Sequence, residues 1–198
     1  MVVCEARMNQ KNLLDVDWSK IPAPTDDGAA AHLAGIAIPP LNLLATDDTS
    51  VDLSALPGRT VVFAYPRTGE PGKISLVDDW DMIPGARGCT PQTCSFRDLF
   101  SELKAAGAKH VFGLSTQDNI YQTEMASRLH LPFPVLSDEK LALCHALNLP
   151  TMDVAGLTLI KRLALVVDDG RITHVFYPVF PPDRNAGDVL AWLQENPV

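Results

Sequence analysis

The chain has 198 residues, of which 46% are hydrophobic and 20% charged, so it can bury one sizeable core and form one main domain. Its 24 acidic and 16 basic side chains give a formal net charge of −8, which repels nucleic acid phosphates and anionic lipid headgroups, so we expect neither as a partner. No apolar run approaches the roughly 20 residues that span a bilayer, and the start MVVCEARMNQK lacks the apolar segment of a secretory signal, so we expect a soluble cytoplasmic protein.

The four cysteines, Cys4, Cys89, Cys94 and Cys144, are too sparse for a disulfide scaffold at this length. The cytoplasm also keeps thiols reduced, so a stable structural disulfide is not expected there. Any redox role of these residues is therefore expected to be catalytic or sensory.

The first part of the chain has little regular pattern. Turn formers and small residues predict a loosely ordered N-terminal arm over residues 1–34, followed by the main domain over 35–198. A buried strand is predicted from Thr60 to Tyr65, where β-branched and aromatic residues dominate. Glycines and prolines then interrupt the stretch from Arg67 to Gly88, which predicts a long loop of the kind that often carries function.

The segment CTPQTCSFRDLFSELKAAGA has the apolar spacing of an amphipathic helix. Thr90 is its expected N-cap, Pro91 its first helical residue and Gly107 its stop. The apolar stripe consists of Phe96, Leu99, Phe100 and Leu103.

The rest of the chain alternates strands and helices. We predict a strand at 111–116, a helix in DNIYQTEMASRLHL, a short helix from Glu139 to Leu147, a hairpin of RLALVVD and RITHVFYP around Asp169-Gly170, and a final helix in NAGDVLAWLQEN. Parallel crossovers followed by an antiparallel pair predict an α/β thioredoxin-like fold, with a central mixed sheet flanked by helices.

The cysteine pair in GCTPQTC has the most informative chemistry. Unpaired N–H groups and the helix dipole at a helix start favour thiolate over thiol at Cys89. A thiolate can attack a peroxide O–O bond and become a sulfenic acid, with which Cys94 can then condense. On an intact helix their Cα atoms would lie about 8.6 Å apart, whereas a disulfide needs about 4.4–6.8 Å, so the first turn must unwind.

From spacing alone, both cysteines can equally be small buried hydrophobic residues. Metal binding is disfavoured because neither a CxxC pair nor an HxxxH partner accompanies them. Four residues separate the two cysteines, which also disfavours CxxC oxidoreductase chemistry.

The segments YP, GCTPQTCSFRD, LPFPVLSD and KRLALVVDDGRI resemble the peroxiredoxins, specifically the atypical two-cysteine Q type also called bacterioferritin comigratory protein. The resemblance extends from about Gly35 to Trp192. It implies a thioredoxin fold, thiol-dependent reduction of hydrogen peroxide and organic hydroperoxides, an intramolecular disulfide, and recycling by thioredoxin or a similar dithiol. It implies no metal, haem or flavin.

By match to the family motif, Cys89 takes the peroxidatic role and Cys94 the resolving role. Arg162 resembles the family arginine beside the peroxidatic sulfur, where a guanidinium can stabilise the thiolate and the charge developing on the peroxide. Read by position alone, Arg162 is equally a surface arginine beside Lys161.

The sequence departs from the family pattern just before the peroxidatic cysteine. The family places a proline seven residues and a threonine or serine three residues before it, but Met82 and Ala86 stand there. The long 67–88 insertion must therefore rebuild the peroxide pocket. Thr68 and Thr90 are both candidates for the missing hydroxyl, and the sequence does not choose between them.

The sequence is also compatible with two other functions. One is a one-cysteine peroxidase whose sulfenic acid is resolved by an external thiol, and the other is a non-catalytic thioredoxin-fold redox sensor or binding protein. Cys144 is expected to be buried, with a resolving role as its alternative, and Cys4 to be idle. The apolar segment HVFYPVFPP is a candidate sheet-edge cover or subunit contact, so we also consider a homodimer.

Overall fold

A computed structural model describes residues 16–198. Cys4 and the first part of the expected arm lie outside the described residues. The strands are β1 (Leu43–Ala45), β2 (Ser50–Val51), β3 (Arg59–Ala64), β4 (His110–Ser115), β5 (Val135–Ser137), β6 (Thr151–Val154), β7 (Leu157–Ile160), β8 (Leu163–Asp168) and β9 (Arg171–Phe176). The α-helices are α1 (Cys89–Asp98), α2 (Phe100–Ala105), α3 (Asn119–Arg128), α4 (Ala142–Leu147) and α5 (Asn185–Glu195).

Seven strands form one mixed sheet in the order β2-β1-β5-β4-β3-β8-β9. The central strands β3, β4 and β5 are parallel to one another. Strand β8 runs antiparallel to β3, and β9 runs antiparallel to β8. Strands β6 and β7 form a separate hairpin. This α/β arrangement confirms the predicted thioredoxin-like fold, because the parallel crossovers and the closing antiparallel pair occur in the predicted order.

The sheet separates two hydrophobic cores. Along β3, Val62 and Ala64 face one core, while Val61 and Phe63 face the other, as expected from the period of two in a strand. Helix α4 contributes to the first core, and helices α1, α2, α3 and α5 contribute to the second. Helix α1 packs on the second core, which includes Cys89 of the GCTPQTC motif.

The start and continuity of the first predicted helix differ from the prediction. Cys89 is the first helical residue and Gly88 the N-cap, so Thr90 is not the cap and Pro91 is not the first helical position. Gly88 has a φ of 103°, a left-handed conformation that lets the helix begin earlier. Pro91 is tolerated one turn in, because the first N–H groups of a helix have no partner within the helix. The helix is interrupted at Leu99, which separates α1 from α2.

Most other predicted elements are confirmed, including the strand over 60–65 and the hairpin at Asp169-Gly170. The short helix α4 begins at Ala142 rather than Glu139, because the Asp138 carboxylate accepts hydrogen bonds from N–H groups in its first turn. The sequence did not predict β1, β2 or the β6–β7 hairpin.

The N-terminal segment contributes to the first core through Ala30 and Leu33, which are buried. A domain boundary at residue 35 and a homodimer stay predictions. The apolar segment HVFYPVFPP includes the end of edge strand β9 and makes a contact within the same chain. Its Phe180 packs edge to face on Trp18, with the two ring centroids 6.0 Å apart. Within residues 16–198, no helix has the length and apolar character to cross a membrane, and the cytoplasmic location also stays a prediction.

Candidate active site

The register of β3 and β8 brings two distant parts of the chain to one edge of the sheet. Ala64, at the end of β3, pairs antiparallel with Leu163, at the start of β8. Arg162 directly precedes Leu163 and therefore lies where the chain leaves β3. The inserted loop returns to this edge before α1 begins, so Cys89 and Arg162 meet although 73 positions separate them.

Gly88 sets the position of the helix start. A Cβ atom at this residue would lie 2.5 Å from Cγ of Pro182 and 2.7 Å from the ring of Trp18. The Trp18 indole N–H donates to Oδ2 of Asp183 at 2.9 Å, which fixes the ring there. The positive φ and the close packing both require glycine immediately before Cys89.

The Cys89 thiol is free, only 3% of the residue is exposed, and it contacts Arg162. Nη2 of Arg162 donates to Cys89 Sγ at 3.3 Å. The same nitrogen donates to the backbone carbonyls of residues 85–87 at 3.0–3.2 Å. The loop before α1 therefore holds the guanidinium against the sulfur.

Among residues 16–198, no carboxylate pairs with the Arg162 charge. The residue is 2% exposed. Buried charges are normally paired, because leaving water is costly for an ion. The contacting group that can take up a negative charge is the Cys89 sulfur. The arrangement therefore places the Arg162 charge directly against this sulfur.

Tyr65 lies fully buried near the Cys89 sulfur and remains a neutral phenol. Burial, followed by the nearby Cys89, raises the pKa of Tyr65 well above its ordinary value. Its hydroxyl donates to Oε1 of Gln122 at 3.1 Å. Tyr65 thus packs near the Cys89 sulfur without adding charge.

Two buried amide side chains orient Arg162, and neither was predicted from the sequence. Oε1 of Gln92 accepts a hydrogen bond from Nη1 of Arg162, and Nε2 of Gln92 donates to Oδ1 of Asn185 at 2.9 Å. Gln92 has a readable signal, since it follows Cys89 by three positions and so shares its helix face. Asn185 begins α5, and nothing in the sequence connects it with the motif.

Cys89 lies in a small cleft that we call the thiol cleft, about 80 Å³ in volume. The inserted loop supplies much of its wall, including Trp80. Its lining includes Thr68, Trp80, Arg87, Cys89 and Thr90.

Cys94 lies on the same helix and also has a free thiol. It is 6% exposed, and burial raises its pKa. Helix α1 is continuous from Cys89 through Cys94, and its first turn is closed by the hydrogen bond from Gln92 N to Gly88 O at 3.0 Å. Direct bonding of the two sulfurs therefore requires this turn to open.

Cys144 is buried in the first core, on the opposite side of the sheet from Cys89. Its backbone N–H donates to the Asp138 carboxylate at 2.8 Å. Burial and then the Asp138 charge raise the pKa of the Cys144 thiol to about 11. This environment keeps Cys144 protonated and separates it from the thiol cleft.

Together, the fold and the buried cysteine–arginine pair define a thioredoxin-fold thiol protein. The family model described as Redoxin matches residues 25–190. The chain therefore belongs to the redoxin family, as a peroxiredoxin of the Q or Bcp type, which confirms the resemblance seen in the sequence.

Individual relatives agree with this family. The chloroplastic peroxiredoxin Q of Oryza sativa subsp. japonica is 33% identical over 162 residues, which cover 81% of this chain and 66% of that protein. The chain thus spans just under two thirds of the length of this relative. Peroxiredoxin Bcp of Escherichia coli K12 is 32% identical over 168 residues, covering 82% and 96%. The crystal structure of peroxidoxin BcpB from Mycobacterium tuberculosis superposes with a TM-score of 0.66 at 25% identity, covering 83% of this chain and 98% of that one.

Proposed function

We propose that this chain is a thiol peroxidase that reduces hydrogen peroxide and organic hydroperoxides, with Cys89 as the peroxidatic residue. The observation that carries the proposal is the buried Arg162 guanidinium, which has no carboxylate partner within residues 16–198 and donates to Cys89 Sγ at 3.3 Å. The rice and E. coli relatives, both named peroxiredoxins, support the same activity.

In the first step the Cys89 thiolate attacks the terminal oxygen of the peroxide. A sulfur–oxygen bond forms with the sulfur electron pair while the O–O bond breaks. Sulfur is oxidised to sulfenic acid, and the other peroxide oxygen leaves as hydroxide or alkoxide. A proton from solvent converts it to water or alcohol.

Arg162 acts both before and during this step. Its Nη2 stabilises the thiolate before the reaction, and its positive charge then stabilises the charge developing on the peroxide oxygens. Gln92 and the carbonyls of residues 85–87 hold the guanidinium in place. Because these partners exist before the peroxide arrives, little reorganisation is needed during the reaction.

In the second step Cys94 resolves the sulfenic acid. The first turn of α1 opens, Cys94 loses its proton, and its sulfur attacks Cys89 Sγ while the S–O bond breaks and water leaves. An intramolecular Cys89–Cys94 disulfide results. Thioredoxin or a similar dithiol then reduces this disulfide by thiol–disulfide exchange, which restores both thiols.

Peroxide consumption by the purified chain tests the proposal, with a dithiol reductant and with Cys89→Ser, Cys94→Ser and the matched control Cys144→Ser. We expect no turnover in Cys89→Ser and unchanged turnover in Cys144→Ser. Cys94→Ser is expected to consume one equivalent of peroxide in a single sulfenate-forming turnover. Full peroxidase activity in Cys89→Ser would overturn the proposal.

A one-cysteine peroxidase is the second candidate, favoured by the burial of Cys94 in an intact helix. Mass spectrometry after one equivalent of peroxide separates the two mechanisms. A Cys89–Cys94 link supports our proposal, whereas a lasting sulfenic acid at Cys89 in the wild type supports resolution by an external thiol. A peroxide rate constant close to that of free cysteine would instead indicate a redox sensor.

A further inference from the structure

Two threonines of low exposure line the thiol cleft, Thr68 in the inserted loop and Thr90 in the first turn of α1. Either would replace the hydroxyl that is absent at Ala86. Their hydrogen-bonding partners differ, and this difference determines which hydroxyl is free to bind a peroxide.

The hydrogen bonds of Thr68 connect the inserted loop to Gln117. Its hydroxyl donates to Oε1 of Gln117 at 3.1 Å, and its backbone N–H donates to the same oxygen at 2.8 Å. Its carbonyl accepts hydrogen bonds from Gln117 and from the Tyr121 hydroxyl, the latter at 2.9 Å. The Thr68 hydroxyl hydrogen is therefore already in use, and its release would leave Gln117 without one partner.

Thr90 has the opposite character. It is 6% exposed, and within residues 16–198 its hydroxyl makes no hydrogen bond. Thr90 is the second residue of α1, so no preceding helical turn offers its hydroxyl a carbonyl. The carbonyl of Ala86, in the loop before the helix, accepts from Nη2 of Arg162 at 3.2 Å. The Thr90 hydroxyl oxygen is not among the buried atoms that lack a partner within residues 16–198, so it is accessible from the cleft and free to bind a molecule there.

On the basis of the peroxidase function proposed above, we propose that Thr90 is the hydroxyl that binds the peroxide, taking over the role of the hydroxyl missing at Ala86. Thr90 follows Cys89 directly in the chain and lines the same cleft. Its O–H donates a hydrogen bond to the peroxide oxygen that leaves, and its lone pair accepts the hydrogen of the attacked peroxide oxygen. The bonds that form and break in the S–O transfer are unchanged, because Thr90 only orients the substrate.

The test compares Thr90→Val, which keeps the branched shape without the hydroxyl, with Thr90→Ser, which keeps the hydroxyl. We expect the rate constant for Cys89 oxidation by hydrogen peroxide to fall roughly 10- to 100-fold in Thr90→Val, as for one lost hydrogen bond to a charged group. Thr90→Ser should recover most of this loss. The matched control is Thr123→Val, an exposed helical threonine whose rate should equal that of the wild type.

Alkylation of Cys89 by iodoacetamide separates a structural effect of Thr90→Val from the loss of a contact with peroxide. Alkylation requires a reactive thiolate but no peroxide, so the alkylation rate should change less than about two-fold in Thr90→Val if the fold and the thiolate are intact. A wild-type peroxide rate in Thr90→Val, or a loss confined to Thr68→Val, overturns the assignment of Thr90. An inactive wild type would instead refute the peroxidase function itself, so the two failures are distinguishable.

Discussion

Two buried arginines lie at opposite ends of the β3–β8 ladder and are used differently. Arg59, at the start of β3, forms a two-pronged hydrogen bond with Asp168 at 2.7 and 2.9 Å. Arg162, just before β8, contacts backbone carbonyls, an amide oxygen and the Cys89 sulfur. Both are nearly inaccessible, at 6% and 2% exposure.

The difference shows how one residue type serves stability at one end and chemistry at the other. The Asp168 carboxylate balances the charge of Arg59, so this pair serves to tie two strands together. The neutral oxygens around Arg162 orient the guanidinium without cancelling its charge. The charge remains for the thiolate and for an incoming peroxide.

The largest expected effect comes from removing the charge at the β8 end. Arg162→Met should lower the rate constant for Cys89 oxidation by about 10²–10³-fold, because both the thiolate and the developing oxygen charge lose their stabilising donor. Stopped-flow peroxide reduction measures this effect.

Arg162→Lys is the matched control for that variant. An ammonium keeps the charge but lacks the planar fork, so it should lose less activity than methionine. Equal rates in Arg162→Met and the wild type would contradict the role proposed for this residue. Thermal unfolding of both variants separates a lost charge from a lost fold.

The opposite end of the ladder should affect stability and not rate. Asp168→Asn should lower the free energy of unfolding at pH 7 by about 1–3 kcal/mol, because it leaves the Arg59 charge unbalanced. The rate of peroxide reduction should stay within two-fold. Urea unfolding at pH 7 measures the loss.

The effect of Asp168→Asn on the free energy of unfolding should depend on pH. Hydrogen bonding from Arg59 holds the pKa of Asp168 below its ordinary value. The stabilisation by this pair is therefore fully present above the unfolded pKa of about 4 and is lost as the pH falls through the lower folded pKa. The stability gap between wild type and Asp168→Asn should shrink as the pH is lowered below 4. A gap independent of pH would contradict this account.

The smallest expected effect concerns Cys144, a thiol buried beside an acid rather than an arginine. With a pKa raised to about 11, it should resist iodoacetamide at pH 7 and become labelled as the pH approaches 11. Asp138→Asn should increase its labelling at pH 8 several-fold, because removing the negative charge lowers the thiol pKa. Peptide mass spectrometry in a Cys89→Ser background measures this, and faster labelling of Cys144 than of Cys89 at pH 7 in the wild-type chain would contradict the contrast.

Much of the fold follows from local sequence signals. The β-branched run at 60–65, the Asp169-Gly170 turn and the periodic C-terminal helix each encode their own structure. Strands β1 and β2 contain only three and two residues, too few to show a period. Their pairing depends on neighbouring parts of the chain, which no short window of sequence can show.

The candidate site was predictable to the extent that it lies in one motif. Cys89, Cys94 and Arg162 were named from the motif match, and their roles stay predictions. The contact of Arg162 with Cys89 depends on the register that pairs Ala64 with Leu163, a long-range property. The link from Gln92 to Asn185 joins residues 93 positions apart and has no local signal.

The indole of Trp18 packs against Gly88, directly before the proposed peroxidatic cysteine, and we expect it to report the redox state of that cysteine. Closing a Cys89–Cys94 bond must change the backbone around Gly88, and the ring packed against that glycine then loses its present surroundings. Intrinsic fluorescence of Trp18 would therefore follow each catalytic cycle in real time, without an added dye.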